Sequence, residues 1–473
     1  MRGENYSMAT AKTSSCSSST ADRDVRFITP PPAKVVVIPS YLDPNVLIRE
    51  HPFRNPYGKD NPQKVIDYMS LIIGVISDRY FLSNYNKDKL HIPQFIKCEV
   101  FRNITQDYSH YLNYLIDIGF LKQYPYRVDY YTKSYSFIPV NFSWYLKTLY
   151  VTGKHAEKQL KQSVCVESIK MYPYLHLGVQ EVNFDMVNAR KLLASRPFNI
   201  ESMEYKRQFC KLQSIDTNRI FKVDDKVGRL HTSFTNLRSD YRQFLSFNGN
   251  KLVNVDLKNS QPFFLACLMT NDTWDNFNVI DHILNYSPTL RAAGGNRVDF
   301  IMNQYLKKDI ILDTYRFDFI QLVTSGLLYE TICDSIDSID NRSEAKDLVF
   351  KFLFSPLWYD GSIVEYFHLN FPLIDRFRRS LNVGFIKTKA QGRGPCEQSN
   401  TLALLLQKLE SSFILDIVSP IINEKLDIPC LTIHDSFMVE EKHGHDVKEI
   451  IQMAAKDVFR IVPEIKIENF RKN

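Results

Sequence analysis

Two β-rich runs, far apart in the chain, each close on a single aspartate. Residues 251–256 end at Asp256, and residues 426–433 run straight into His434 and Asp435, with Ser436, Phe437, Met438 and Val439 following. The alternation on either side of His434-Asp435 predicts a β-hairpin with the acid at its tip. Two strands that bring one carboxylate each to the same sheet edge can hold a pair of divalent metals, the arrangement used for in-line displacement at phosphorus. An isolated His-Asp pair is more commonly a surface turn, so the weight falls on what lies between and around the two acids.

Between them stand Arg342, Lys346, Phe350 and Phe354, each four residues after the last. The window 341–354 contains neither Gly nor Pro and predicts a helix, on which a spacing of four keeps these side chains on one slowly drifting face. Two cations followed by two rings suit a nucleoside triphosphate, with the cations on phosphates and the rings against base and sugar. The same pattern also fits an amphipathic helix with core phenylalanines and solvated cations.

A chain of 473 residues with 44% apolar content allows two or three domains, each with a core of its own. The net charge of +6 suits a polyanionic partner. Eight cysteines, none in a Cys-x-x-Cys pair, indicate neither a disulfide framework nor a zinc site. No apolar run reaches the length of a membrane span and the first residues lack a signal-peptide core, so a cytoplasmic location is expected.

Residues 1–34 form a Ser- and Pro-rich segment expected to be a flexible tail. Residues 92–101 and 109–118 both show helical spacing of apolar side chains, and Gly119 is placed to stop the second helix. Residues 120–124 and 134–140 then flank a basic, Tyr-rich stretch from Arg127 to Lys133. Two helices and a hairpin outline a winged helix, a unit that commonly binds duplex DNA; a helical accessory domain is the alternative. Residues from about Asn141 to Asp225 are richer in helix-forming stretches, and Lys154, Lys158, Lys161, Lys206, Arg207 and Lys211 there could grip duplex phosphates or simply be solvated.

Several stretches, in order, resemble the family A DNA polymerases (bacterial DNA polymerase I type) and their relatives, the phage-type single-subunit RNA polymerases. Gly228-Arg229-Leu230 with Asn236-Leu237 resembles the segment before the palm, where the Arg reads the minor groove at the primer end. Val253-Asn254-Val255-Asp256 with Ser260 and Gln261 resembles motif A. Arg342, Lys346, Phe350 and Phe354 match motif B of the fingers helix, and Ile433-His434-Asp435-Ser436 resembles motif C. Residues 462–467 with Asn469 and Phe470 resemble the closing strand of the palm. The resemblance covers roughly the last half of the chain, from about Val223.

The resemblance implies an α+β right-hand polymerase: a palm of antiparallel sheet, helical fingers and thumb, and an N-terminal helical, winged-helix-like domain. The boundaries it suggests are a tail at 1–34, the N-terminal domain at 35–145, a thumb-like region at 146–227, and a palm at 228–473 with fingers inserted at about 265–407. It implies Asp256, Asp435 and the backbone of Leu257 as ligands of two magnesium ions, with manganese as the alternative. Lys346 is the implied catalytic cation, and Arg342, Lys346, Phe350, Phe354 and Gln261 the nucleotide contacts. Arg229, Asn236 and His434 are the implied primer and template contacts. The implied partners are a DNA primer-template, or RNA, and nucleoside triphosphates.

Three departures separate the chain from the family pattern. Ser436 stands where the DNA polymerases place Glu and looks more like the RNA polymerase branch. Pro262 is foreign to both branches, and Phe354-Ser355 replaces the usual Tyr-Gly. In the DNA branch a bulky acidic residue five places after the motif A Asp obstructs a ribose 2′-hydroxyl, and here that place holds Gln261. In the RNA branch a Tyr hydroxyl at the end of motif B recognises the ribose, and Phe354 offers none. The expected activity is template-directed DNA synthesis. The alternatives are a single-subunit RNA polymerase-like enzyme and a DNA-binding replication or defence factor with a degenerate palm.

Overall fold

The computed structural model describes residues 33–54, 61–82, 93–127, 132–138, 145–197, 199, 202–217, 220–225, 227–269, 314–355, 359–382 and 401–470. Residues 1–32 of the tail expected at 1–34, residues 128–131 of the expected hairpin, and residues 270–313 and 383–400 of the expected fingers lie outside the described residues. The fold mixes helices with antiparallel sheets. None of the described helices is long and apolar enough to cross a membrane.

Five strands belong to the first part of the chain: β1 (Lys34–Pro39), β2 (Gln94–Phe95), β3 (Leu121–Arg127), β4 (Thr132–Phe137) and β5 (Leu146–Val151). β1 pairs β5, and β2, β4 and β3 form a second sheet in that order. The helix Pro62–Leu82 lays Met69, Ile72, Ile73 and Ile76 into a core shared with Phe101, Tyr111, Leu112 and Leu115. That spacing is one apolar stripe of a helix, and burial of the stripe is what holds it. Gly119, at φ +81°, ends the helix Tyr108–Asp117 as expected and starts the β3–β4 hairpin.

One expectation fails here. Residues 92–101 do not form a continuous helix: β2 occupies Gln94–Phe95 and only Cys98–Arg102 is helical. The backbone N–H of Ile96 donates to the Lys133 carbonyl at 3.2 Å, and the Thr132 hydroxyl donates to the Ile96 carbonyl at 2.7 Å. Pairing with the hairpin overrides the local helical spacing.

Five helices follow, Lys154–Ser163, Val166–Met171, Pro173–Glu181, Met186–Ala194 and Met203–Thr217. The last of them joins the two halves: Cys210 packs on Val35, Val37, Tyr80 and Phe81, while Leu212 and Ile215 enter the second core. Lys206, expected among the phosphate-gripping cations, is instead 2% exposed on that helix. A side chain so placed cannot reach a duplex.

In the second half, β6 (Val182–Phe184), β9 (Leu245–Phe247), β10 (Asn250–Leu257), β11 (Leu431–Ile433), β12 (Ser436–Glu440) and β13 (Ile465–Asn469) form one antiparallel sheet, with β7 (Phe221–Val223) and β8 (Leu230–Thr232) as a separate hairpin. β10 is central, paired to β12 on one side and β13 on the other. Leu252, Val253, Asn254 and Val255 are consecutive and all buried, as a strand covered on both faces requires. The helix Ser260–Leu268, buried along its whole length, packs on the helix Gly444–Phe459 through Phe263, Phe264 and Phe459. Pro262 falls in its first turn, where a missing N–H costs nothing.

The strand before the acidic hairpin is shorter than the apolar run 426–433 suggests. Leu426 completes the helix Ser419–Leu426, Asp427 turns the chain at φ +47°, and pairing begins only at Leu431. Pro429 cannot donate to a ladder, which keeps the preceding residues out of the sheet. Gly178 of the helix Pro173–Glu181 braces this approach. A Cβ added there would lie 2.2 Å from the Cys430 carbonyl oxygen, so the helix can sit so close only without a side chain.

Candidate active site

The hairpin turn between β11 and β12 consists of His434 and Asp435, with Ile433 facing Ser436 across it. His434 sits at φ +55°, a conformation that costs a non-glycine residue about 1–3 kcal/mol and is characteristic of functional sites. Ser436 lies inside the sheet, its hydroxyl donating to the Ile433 carbonyl at 3.1 Å, and thereby ties the turn.

Register does the rest. Asp256 pairs with Ser436 on β12 and with Lys466 on β13, so the two aspartates stand at adjacent positions of one sheet edge. The N–H of Leu257 donates to the Asp435 carbonyl at 3.4 Å. The edge opens into a cavity of about 730 Å³. Asp256, Leu257, Gln261, Arg229, Arg342, Lys346, Phe350, Phe354, His434 and Asp435 all line it. Asn236 does not; it is exposed on the loop after β8.

The helix Arg342–Phe354 forms one wall. Asn341 caps it, its side chain accepting from the Glu344 N–H at 3.1 Å. Ala345, Val349, Phe352 and Leu353 are buried, leaving the opposite stripe to the cavity. Lys346 lies 5.6 Å above the Phe350 ring, and the Phe350 and Phe354 centroids are 5.4 Å apart. Arg342 is not idle: it stacks over Tyr329 at 5.1 Å and pairs with Glu330 at 2.8 Å.

Electrostatics mark the two acids. Burial and the neighbouring Glu468 push the Asp256 carboxyl up to about 6, with Lys346, Arg242 and Lys466 opposing. Asp435 is held well above the ordinary carboxylate range, by burial first, then by Glu410 and Asp256. Burial, with Arg229, His231 and Arg242 nearby, lowers His434 to about 4, so its imidazole is neutral at neutral pH. Two adjacent carboxyls, both held above their ordinary range by burial and by neighbouring carboxylates, are a fit for a dication, which removes both the repulsion and the desolvation cost. Polar atoms of the cavity wall point the same way: Oδ1 of Asn254, Oε1 of Gln261 and Nδ1 of His434 are buried without a partner among the described residues. Such groups normally find a ligand or water.

Glu410, Arg242 and Glu468 escaped the sequence reading. Glu410, 2% exposed on the helix Thr401–Ser412, is the floor of the cavity. One of its oxygens accepts from Arg229 Nε at 3.1 Å, and from Nη2 as well. The other accepts from Ser260 Oγ at 2.7 Å and from Gln261 Nε2. A lone acid within the apolar run Leu402–Leu415 was the signal that could have found it, since a buried carboxylate must be partnered. Arg242 and Glu468 carry no comparable signal.

No family model and no curated protein matches the chain. Among solved structures, it is similar to the POL domain of Pol1 from M. smegmatis in complex with DNA primer-template and dNTP, at 12% identity and a TM-score of 0.29. The match covers 59% of this chain and about half, 54%, of that one. At that score the likeness settles neither fold nor site.

Proposed function

We propose that the chain is a template-directed nucleotidyltransferase in which the antiparallel sheet is a polymerase palm, the helix Arg342–Phe354 belongs to the fingers, and DNA synthesis is favoured. The observation that carries this reading is the meeting of Asp256 and Asp435 at one sheet edge, in a cavity walled by Arg342, Lys346, Phe350 and Phe354. Asp256 and Asp435, with the backbone of Leu257, would hold two magnesium ions. The chemistry that such a pair supplies when bound is a lowered pKa for an attacking 3′-hydroxyl and charge compensation at phosphorus and on pyrophosphate.

The chain's own groups divide the remaining work. Lys346 faces both carboxylates and would meet the developing negative charge of the triphosphate, where a fixed cation acts mainly in the transition state. Arg342 would exchange Glu330 for a phosphate, so nucleotide binding carries the cost of one exposed ion pair. Phe350 and Phe354 would pack against the nucleoside. Neutral His434 and Arg229 would position the primer end, with Arg229 already oriented by Glu410. Gln261 is held through its amide nitrogen by Glu410 and so presents fixed bulk beside the sugar position, which favours deoxyribose.

A second reading rests on Ser436, which supplies no third acid: a nucleic-acid-binding factor with a silent palm. Primer extension with Asp435→Asn beside wild type separates the two, because only an active site loses activity with that carboxylate.

A further inference from the structure

We infer that the helix Tyr108–Asp117 and the hairpin β3–β4 form a second nucleic-acid site, remote from the cavity, that reads duplex DNA with the helix in the major groove and the hairpin on phosphates. The order of elements is helix Pro62–Leu82, β2, helix Cys98–Arg102, helix Tyr108–Asp117, β3, β4, with β4 between β2 and β3 in the sheet. Two consecutive helices joined by a short turn present the second of them outward when its inner face is anchored. Here the anchor is Tyr111, Leu112 and Leu115, buried against Phe101, Ile104 and Tyr135. The Phe120 N–H donates to the Leu115 carbonyl at 2.9 Å, so the hairpin leaves directly from the end of that helix.

The outward residues have the chemistry of base-edge readers. The side chains of Gln106, Ser109 and Asn113 are exposed and make no hydrogen bond among the described residues. Amide and hydroxyl side chains in that position match groove donors and acceptors. No acid interrupts the span 108–116; Asp107 and Asp117 stand at its ends, and Glu99 lies on the preceding helix. Around it Lys97, Arg102, Lys122 and Lys133 are exposed and take part in no ion pair among the described residues. Lys122 lies on β3, 5.1 Å above the Tyr124 ring, and Lys133 lies on β4. Unpaired cations beside a neutral hydrogen-bonding helix complement a duplex, with its phosphates flanking an uncharged groove.

The inference does not rest on polymerase activity, and its test avoids it. The full chain is titrated, by fluorescence anisotropy, onto a covalently closed DNA dumbbell that has no primer terminus. The Lys122→Glu/Lys133→Glu variant should bind at least about tenfold more weakly, with a salt slope smaller by about two, since two phosphate contacts are lost. Ser109→Ala/Asn113→Ala should weaken binding while leaving the salt slope unchanged. Both variants should keep the wild-type melting temperature, so that a loss of binding is not a loss of fold. An RNA dumbbell of the same sequence should bind poorly, because the deep, narrow groove of A-form excludes a helix. Failure of the wild type to bind the DNA dumbbell, equal affinity of wild type and the lysine variant, or equal affinity for the RNA dumbbell would each overturn the inference.

Discussion

Arg229 and Glu410, 181 residues apart, are joined by a charge-assisted hydrogen bond of 3.1 Å from the guanidinium Nε to the carboxylate. The same carboxylate also takes Ser260 and Gln261, so one buried acid fixes three side chains of the cavity. Removing it leaves Arg229 unpaired where its side chain is only 22% exposed. Glu410→Ala should therefore destabilise the protein by about 3 kcal/mol, and Glu410→Gln by less, because an amide still accepts from Arg229. Denaturant unfolding of the two variants measures this. An alanine variant as stable as wild type would show that the network is ornamental.

The acidity of Asp256 sets a pH dependence. Its folded pKa, about 6, lies above the ordinary value of 3.8, so the folded state holds the proton more tightly than the unfolded chain. The contribution of this group to stability is fully present below pH 4 and is lost as pH rises through 6, a difference of about 3 kcal/mol at neutral pH. Asp256→Asn should raise the melting temperature at pH 7.5 and change it little at pH 4. Magnesium should stabilise wild type at pH 7.5 only, through binding to the folded state, and should not stabilise the variant. Equal magnesium effects on both proteins would place the ion elsewhere.

On the helix wall, two cations should fail in different ways. Lys346→Ala should lower kcat by roughly a hundredfold, as loss of a transition-state contact does. Arg342→Ala should mainly raise the nucleotide KM, by about tenfold, the value of one good phosphate contact. Glu330→Gln releases Arg342 and should lower that KM. Steady-state kinetics on a homopolymer template separates the effects. Unchanged kinetics in both cation variants would make the wall structural.

The acids and the helix wall were legible because local rules govern them. Alternation around His434-Asp435 means a hairpin, and spacing of four from Arg342 to Phe354 means one face. Asn341 even supplies the helix start. What was illegible came from tertiary placement. Glu410 and Arg229 meet through packing of the helix Thr401–Ser412 on the segment before β8, which no spacing encodes. Residues 94–95 became strand because the hairpin offered Ile96 backbone partners. Lys206 read as a surface cation, yet its helix joins two cores and turns that side inward. Asn236 matched by order alone and falls outside the cavity.

Sugar choice follows from Gln261. Its side chain is 4% exposed and pinned by Glu410, so it cannot swing aside for a 2′-hydroxyl. Gln261→Gly should raise ribonucleotide incorporation relative to deoxyribonucleotide, by about 10–100-fold, in the range that one added or lost steric clash produces. Competition between the two nucleotide types on one primer-template measures the ratio. A wild type that accepts only ribonucleotides would show that this side chain is no gate.

The proposed function requires Asp256 and Asp435 to act together as one nucleotidyl-transfer site. Extension of a labelled primer on a defined template, with magnesium and all four dNTPs, tests it most directly when wild type, Asp256→Asn and Asp435→Asn are run side by side. The wild type should extend the primer to the template end. Each variant should lose activity by at least about a thousandfold while binding the primer-template normally, because each removes a charge that compensates a dication and not a duplex contact. Undiminished extension by the variants, or none by the wild type with either dNTPs or rNTPs, would contradict the account.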